Sequence, residues 1–345
     1  GGAEFMHGDL PHTKFLMKEA GVSYFAGQGR TWNVQKNVLS EGDLFHDDWD
    51  KLMNKLQQLN HDMTIGQFLA LHFSDPKYHE LSDSVKRFVE GYDAADINKA
   101  SALSLKDEWS NEDIQGYRPA GGYSQLMDFL RREILKHNGR IKLSTVVRKI
   151  LWRQDFVEVF DDKGEKSNAK NVLVTVPVAV LKNKGIEFDP PLDDHRRALD
   201  DLETGGVIKF LVEFEDRIWE RRNDGNFRQM SGLNFIFSDA SVPTWWTQKP
   251  NDVPLLTGWL AGPVINQLHQ NTDELLTLGF ESLGYLFGVS KEEIMQEVRA
   301  SKVVNWKADP YAQGAYAYAT LKTSGGVKIL SKPIERTIYF AGEAF

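Results

Sequence analysis

A chain of 345 residues with 41 Lys and Arg against 49 Asp and Glu has a formal net charge of −8 and a pI near 5.7, which argues against nucleic acid or an anionic membrane surface as its main partner. The sequence contains no cysteine, so disulfides, zinc–thiolate sites and thiol nucleophiles are excluded, although the compartment is not fixed. Its 41% of hydrophobic residues indicate a globular protein of two domains or one large one, and no apolar run approaches the length of a membrane span.

The N-terminal third is predicted to be mainly helical. Residues 2–8 (GAEFMHG) form a glycine-bracketed segment that resembles an edge strand. Beyond it, apolar residues recur at helical spacing in three segments, represented by Trp49 to Leu59, Ile65 to His72 and Val85 to Gly91. Asp47 is the predicted N-cap of the first of these helices. We therefore expect residues 45–110 to form a helical insertion.

From residue 116 the pattern becomes that of an α/β unit. A glycine-rich turn precedes a predicted helix that stops at Asn138 and Gly139. Strands are predicted at 141–143, 146–152 and 156–160, followed by a charged turn at 161–164. The apolar run 171–177 (NVLVTVP) is typical of a strand buried on both faces of a parallel sheet. This order fits part of a dinucleotide-binding sheet with a small antiparallel meander.

A second sheet is predicted to begin with the strand in residues 205–220. Its alternation places Lys209 between Val207 and Leu211 on one face. Most lysines on strands are solvated, but on a covered face the ammonium must be paired, hydrated or shifted in pKa, as functional lysines are. Residues 255–263 resemble another strand of this sheet. A helix is predicted at 273–287, and a second one begins at Ser290, with Glu293 in capping-box spacing.

Aromatic residues are concentrated in the segment 303–320. Tyr316 and Tyr318 are two residues apart, so on a strand they would share a face, while Ala315 and Ala317 keep the other face small. Such a face could be ordinary core, or a wall against which an amine or a ring stacks. The chain ends in TIYFAGEAF (337–345), a short strand that runs into Ala and Gly and leaves backbone amides open to a flat or phosphorylated ligand.

Six sequence blocks together resemble the flavin-dependent amine oxidases, a family that includes monoamine, polyamine and L-amino-acid oxidases and the flavin-type histone lysine demethylases. The blocks occur in family order: GAEFMHG (2–8), GGYSQL (121–126), LVTVPVAVLK with IEFDPPL (173–182 and 186–192), GGVIKFLVEFEDRIW (205–219), WKADPYAQGAYAY (306–318) and FAGEA (340–344). Each block alone is a weak signal, but six in register cover nearly the whole chain.

The resemblance implies roles for the residues around the reacting centre. Lys209 matches the family lysine that holds a water against the flavin's reactive ring nitrogen and assists reoxidation by oxygen, and Tyr316 matches one wall of the aromatic cage for the substrate amine. These two residues are the predicted catalytic groups. The predicted substrate contacts are His7, Tyr316, Tyr318 and Phe345, the last of which could replace the second aromatic wall.

The resemblance also implies a set of cofactor contacts. Ala3 and Gly8 fall where the family chain passes the isoalloxazine ring, Trp306 lies beneath the flavin environment, and the backbone of Val147 faces the adenine. The full predicted set is Ala3, Gly8, Val147, Thr175, Pro177, Trp306, Gly342 and Glu343. No metal site is expected.

The implied fold is mixed α/β (α+β), with a partial Rossmann-like FAD-binding domain that carries a β-meander and a substrate domain of mixed sheet and helices. The expected FAD-binding domain comprises residues 1–22, 116–181 and 320–345. Residues 23–115 and 182–319 form the expected substrate domain, which includes the helical insertion. The implied partners are FAD, a small-molecule amine and oxygen, with peroxide as a product; a non-catalytic scaffold and a flavin desaturase or protoporphyrinogen-type oxidase are the alternatives.

The sequence departs from the family pattern at the phosphate-binding turn. The motif G-x-G-x-x-G does not occur in it, although this turn seats the pyrophosphate in the family. We therefore expect the 345-residue chain to be a fragment that binds FAD poorly or not at all. An arginine in the cavity would indicate an amino-acid carboxylate, but Arg30 and Arg118 both fit structural roles better; Glu4 is the nearest candidate for recognising a polyamine.

Overall fold

The computed structural model describes residues 2–42, 48–111, 116–221, 227–268 and 271–345. Its α-helices are α1 (Pro11–Ala20), α2 (Trp49–Gln57), α3 (Ile65–His72), α4 (His79–Gly91), α5 (Ala102–Asn111), α6 (Ser124–Lys136), α7 (Val178–Lys182), α8 (Asp193–Leu199), α9 (Thr272–Phe287), α10 (Lys291–Glu297) and α11 (Thr323–Leu330). Its strands are β1 (Tyr24–Ala26), β2 (Arg30–Gln35), β3 (Val38–Glu41), β4 (Tyr117–Pro119), β5 (Val147–Arg153), β6 (Phe156–Asp161), β7 (Lys166–Ala169), β8 (Val172–Val174), β9 (Glu187–Asp189), β10 (Glu203–Thr204), β11 (Val207–Phe214), β12 (Leu233–Ser238), β13 (Thr244–Trp246), β14 (Leu255–Ala261), β15 (Val298–Asn305), β16 (Ala317–Tyr318) and β17 (Ile338–Phe340).

The largest sheet has seven strands in the order β15-β11-β14-β13-β12-β2-β3. Its neighbours are antiparallel except for β12 and β2, which run parallel. One face packs on α9 and α10 through fully buried side chains such as Phe210, Trp245 and Phe287. The predicted helix at 273–287 and the capping box of Ser290 with Glu293 are confirmed.

Helices α2 to α5 pack around a core of their own, which includes the fully buried Leu52, Phe68 and Val85. This confirms the predicted helical insertion. The structure starts α2 at Trp49, and no side chain caps it at Asp48. The predicted cap, Asp47, lies outside the described residues.

The C-terminal strand β17 contributes to a further hydrophobic core, separate from those of the large sheet and of helices α2 to α5. It pairs in parallel with β8, and the cluster beneath them includes Val157, Val174 and Ile338 from β6, β8 and β17. Beside this pair, β7, β6, β5 and β9 form a four-stranded sheet in that order. Since β8 and β17 are parallel, their carboxyl ends lie together, and the Ala341 amide donates to the Val174 carbonyl at 3.1 Å.

Two strand predictions were wrong. Residues 141–143 form no strand, because both edges of the neighbouring β5 are already paired, with β6 and β9. The run 171–177 is a strand only at 172–174, and it is not buried on both faces. Leu173 is 59% exposed, because alternation turns it away from the core that receives Val174.

The mixed α/β fold class is confirmed by these sheets and helices, while the domain boundaries stay a prediction. Nowhere in the described ranges is a helix both long and apolar enough to cross a bilayer. The same ranges contain no group of three or more His, Asp or Glu side chains placed to hold a metal ion.

Candidate active site

Lys209 is buried in the middle of the seven-stranded sheet. It lies on β11 opposite Trp259 of β14 and Val304 of β15, and it is 2% exposed. The face it shares with Val207 is covered by a small apolar cluster rather than by solvent. The alternative of a solvated strand lysine is therefore wrong.

Three groups surround the Lys209 ammonium. Nζ lies 2.5 Å from Glu4 Oε1 and donates to the Gly2 carbonyl at 2.9 Å. It also lies 5.5 Å from the ring centroid of Trp246, within cation–π range. The segment 2–4 thus provides the ammonium with both a counter-charge and a backbone acceptor, as a buried charge requires.

Glu4 connects Lys209 to a second buried cation. Its Oε2 accepts a hydrogen bond from Trp246 Nε1 at 2.9 Å and lies 3.7 Å from Arg118 Nη2. Arg118 in turn donates from Nη1 to the carbonyls of Thr247 and Lys249 and stacks over Phe5 at 4.4 Å. Burial lowers the pKa of Arg118, and Glu4 partly opposes that shift. The carboxylate is therefore already engaged by the protein's own groups.

These contacts argue against Arg118, Arg30 and Glu4 as residues that recognise a substrate. The bonds of Arg118 to backbone carbonyls support its structural role, and Arg30 forms an exposed ion pair with Glu41 at 3.2 Å. Glu4 faces Lys209 rather than an open cavity. A distal ammonium of a polyamine would have to displace one of the partners of Glu4.

Tyr316 lies on the same face of the sheet as Lys209. It packs in the cluster that contains Val207, Trp259 and Trp306, and the rings of Trp259 and Trp246 are 6.1 Å apart. Its hydroxyl donates to the Tyr92 carbonyl. Burial, with a smaller contribution from nearby carboxylates, raises the pKa of Tyr316, so the residue is a neutral phenol.

Tyr316 and Tyr318 border one cavity of about 120 Å³. Asp93 and Glu108 also line it, which gives the cavity an acidic wall beside the two phenols. Tyr318 packs against the helical insertion, and burial raises its pKa to about 12. The tyrosine pair therefore lies between the large sheet and the insertion.

The N-terminal segment passes along this region. Ala3 and His7 are exposed and Gly8 is half-buried. The ring of His7 lies edge-on to Tyr92, with centroids 5.4 Å apart, and Tyr92 accepts the hydrogen bond of Tyr316. The predicted edge strand here is reduced to one bridge, between Met6 and Tyr117.

The predicted cofactor residues fall into three places. Trp306 lies near Lys209: its amide donates to the Val207 carbonyl, and a methyl group on Gly2 would lie 3.9 Å from its indole. Thr175 and Pro177, both exposed, and Gly342 lie after the carboxyl ends of β8 and β17. Val147 lies on β5 and lines a separate open pocket of about 220 Å³.

The last three residues contact the protein's own elements. Glu343 accepts a hydrogen bond from the Ala317 amide at 3.1 Å, next to Tyr316, and desolvation of its carboxyl group raises its pKa. The ring of Phe345 lies 6.2 Å from that of Phe340, on the side of β17 rather than of Tyr316. The roles assigned to these residues stay predictions.

The sequence reasoning missed three residues of this site. Trp246, Trp259 and Tyr92 link Lys209 to Tyr316 through ring contacts and a backbone acceptor. The adjacent pair Trp245-Trp246 could have indicated one of them. Neighbouring residues of a strand point to opposite faces of the sheet, so only one of the two tryptophans can lie in the core on a given face. Trp245 is in the core and Trp246 faces Lys209.

The chain is similar in sequence to curated histone demethylases. It is 30% identical over 234 residues to lysine-specific histone demethylase 2 of Homo sapiens, with 65% of this chain and 27% of that protein covered. It is 28% identical over 233 residues to lysine-specific histone demethylase 1B of Mus musculus, with 65% and 26% covered. The chain thus spans about a quarter of the length of these curated relatives.

A solved structure shares the fold over the whole chain. Wild-type putrescine oxidase bound to putrescine superposes with a TM-score of 0.77 at 18% identity, covering 99% of this chain and 82% of that one. The family model for flavin containing amine oxidoreductases matches residues 3–345. The chain therefore belongs to the flavin containing amine oxidoreductase family.

Proposed function

We propose that this protein takes part in the FAD-dependent oxidation of an amine at a C–N bond, giving an imine that hydrolyses to a carbonyl compound, with oxygen as the final electron acceptor and peroxide as its product. The observation that carries the proposal is the position of a buried ammonium, Lys209, on the same sheet face as Tyr316 and Trp306. A charge is costly to bury, so its retention beside an aromatic wall fits a functional site.

The residues present fit the ring end of FAD. The small residues Gly2 and Ala3 are exposed beside Lys209 and Trp306, which leaves room for a flat ring to approach. At the other end, Gly342 has a φ of +155° and Thr175 is exposed, at the joint carboxyl edge of β8 and β17 where ligands of parallel sheets bind. Bound FAD would supply the acceptor for the hydride equivalent taken from the amine carbon.

The chain's own groups would position the amine and control its charge. Tyr316 and Tyr318 present neutral phenol rings that would orient a substrate amine beside them. The apolar faces of these rings favour the uncharged, reactive form of that amine. Of the three N–H donors of the Lys209 ammonium, two have acceptors among the described residues, Gly2 O and Glu4. The third donor can hold a water or oxygen species at the ring.

The substrate is proposed to be a small amine, which the names of the relatives support in general terms. One relative is named a lysine-specific histone demethylase and one solved structure a putrescine oxidase bound to putrescine, so both names include an amine, and the second includes a small one. Asp93 and Glu108 form an acidic wall in the cavity that Tyr316 and Tyr318 border, and we assign the contact with any distal ammonium to that wall.

Replacing Lys209 with Met tests the proposal. In protein loaded with excess FAD and reduced anaerobically by an amine, reoxidation by oxygen should slow by about 100-fold, because a fixed charge at the reacting centre is removed. Met leaves Glu4 buried without its main partner, which can cost about 3–5 kcal/mol of stability. The double variant Lys209→Met/Glu4→Gln removes both charges and keeps the test interpretable. FAD-loaded protein that no candidate amine reduces would contradict the proposal.

A non-catalytic binding role is the second candidate, and one observation favours it. The cavity beside Tyr316 is about 120 Å³, whereas small-molecule sites usually measure about 300–1,000 Å³. The same variants discriminate between the two roles. A scaffold would bind its partner equally well with Lys209 or Met in the sheet, whereas an oxidase would lose turnover with oxygen while keeping its fold.

A further inference from the structure

Among the carboxylate–lysine contacts of the described residues, the ion pair between Glu4 and Lys209 contains the most buried lysine. The Lys209 side chain is 2% exposed and that of Glu4 is 21% exposed, with 2.5 Å between their charged atoms. In comparison, the pair of Lys149 with Glu187 is 2.9 Å long, but its side chains are 35% and 66% exposed. Solvent screening makes exposed pairs nearly neutral in energy, whereas a buried lysine depends on its partner.

The second oxygen of Glu4 is fixed as well. Trp246 Nε1 donates to Oε2 at 2.9 Å, and the Arg118 guanidinium lies beyond it at 3.7 Å. Arg118 is itself held by the carbonyls of Thr247 and Lys249. The carboxylate therefore has a preferred orientation, with Oε1 directed at Lys209, because Oε2 is retained by the indole of Trp246 on β13 and faces the guanidinium of Arg118 on β4.

We propose that Glu4 is a positioning residue for Lys209: through Oε1 it holds the Lys209 amine in place, aimed toward Gly2, and Trp246 and Arg118 hold Glu4 in that orientation. Its effect on oxidation rests on the proposed function, whereas the contact itself does not. Glu4 acts through Lys209 and not on the substrate, so it is not available to recognise a substrate ammonium.

The first experiment measures the contact without any cofactor. The rate at which acetic anhydride modifies Lys209 is followed by peptide mass spectrometry, since the reagent reaches this 2% exposed amine only when the amine leaves its place beside Glu4. In Glu4→Gln, which keeps the shape but loses the charge, Lys209 should react about tenfold faster, the equivalent of about 1.4 kcal/mol. Glu4→Asp, which keeps the charge but reaches less far, should fall between the two.

Matched controls separate positioning from loosening of the fold. Glu281→Gln should change the modification of its exposed partner Lys291 by less than about twofold, because water screens that pair, whose side chains are 53% and 36% exposed. Lys182, which donates to the Leu202 carbonyl, reports general loosening and should react at the parental rate in Glu4→Gln. An unchanged rate at Lys209, or an equal rise at Lys182, would overturn the proposal.

The second experiment uses FAD-loaded protein and separates the two half-reactions. Glu4→Gln should slow reoxidation by oxygen, in the direction of Lys209→Met, and leave anaerobic reduction by the amine within about twofold, because Glu4 acts only through Lys209. Faster labelling of Lys209 with an unchanged rate of flavin reoxidation would show that Glu4 holds Lys209 without a role in the reaction. This result would overturn the proposed effect of Glu4 on oxidation. If no amine reduces even the parent protein, the proposed function is wrong. The ratio of the Lys209 labelling rates in Glu4→Gln and the parent still tests whether Glu4 holds Lys209 in place.

Discussion

Lys209, Glu4 and Arg118 bring two positive charges and one negative charge together where the large sheet meets β4 and the N-terminal segment. Such a set is expensive to desolvate, and apolar residues of similar volume would often be as stable. The chain offsets the cost with specific acceptors, since Gly2, Thr247 and Lys249 contribute carbonyls to the two cations. A charge that is not needed for stability is more simply explained by chemistry at the site.

Packing beneath this site leaves no room for one additional carbon. Gly258 on β14 lies opposite Trp245, and a Cβ there would be 2.7 Å from the indole. Because Trp245 is fully buried and donates to the Val242 carbonyl, it cannot move aside, and Gly258→Ala should cost about 1–3 kcal/mol in free energy of unfolding. Urea denaturation measures this loss.

Gly325 provides the matched control. It lies within α11, where a Cβ meets nothing within 4 Å, so Gly325→Ala should raise the free energy of unfolding by up to about 1 kcal/mol through helix propensity. Equal effects of the two substitutions would show that Trp245 yields to the added methyl group.

At the scale of elements, α8 covers the end of β17. Ala198 and Leu199 of α8 are buried in the core beneath β17, and the ring of His195 lies 5.5 Å from that of Phe340. The His195 Nε2 is 3.4 Å from the Lys332 carbonyl, beyond α11. One histidine thus contacts both the strand and the chain that precedes it.

Burial lowers the pKa of His195 below 6.5, while the Lys332 carbonyl and Asp194 partly oppose the shift. A lowered pKa means that the folded protein favours the neutral ring, so this contribution to stability is present above about pH 6.5 and is lost as the pH falls. His195→Phe keeps a ring against Phe340 but cannot titrate. The parent should therefore lose more stability than the variant between about pH 7.5 and about pH 5.5, measured as urea midpoints.

A histidine elsewhere on the surface gives the control for this comparison. His12 is exposed on α1, and His12→Phe, measured at the same pH values, gives the effect of the same replacement at an exposed position. If His195→Phe loses as much stability between the two pH values as the parent does, the burial of His195 has no bearing on the acid stability of the chain.

At the scale of the whole molecule, local patterns predicted elements and the resemblance predicted their assembly. Periodicity identified the helical insertion, β5, β6, β11 and β14. An element that buries one face carries apolar residues at the spacing of that face, and this spacing is visible in the sequence. It could not identify the partner of Lys209, since Gly2 is 207 residues away. The parallel pairing of β12 with β2 has no local signal either. Short strands such as β8 were over-extended because an apolar run does not reveal which side chains remain exposed.

The whole chain is predicted to hold FAD weakly when it is purified alone. The sequence contains no G-x-G-x-x-G turn to bind the pyrophosphate, and Leu173 is 59% exposed on β8, beside the predicted cofactor edge. We therefore expect a Kd above about 1 μM and little flavin absorbance after gel filtration of protein incubated with FAD. Fluorescence titration gives the Kd directly. One FAD retained per chain through purification would contradict the prediction and show that the residues around Thr175 and Gly342 are a sufficient site.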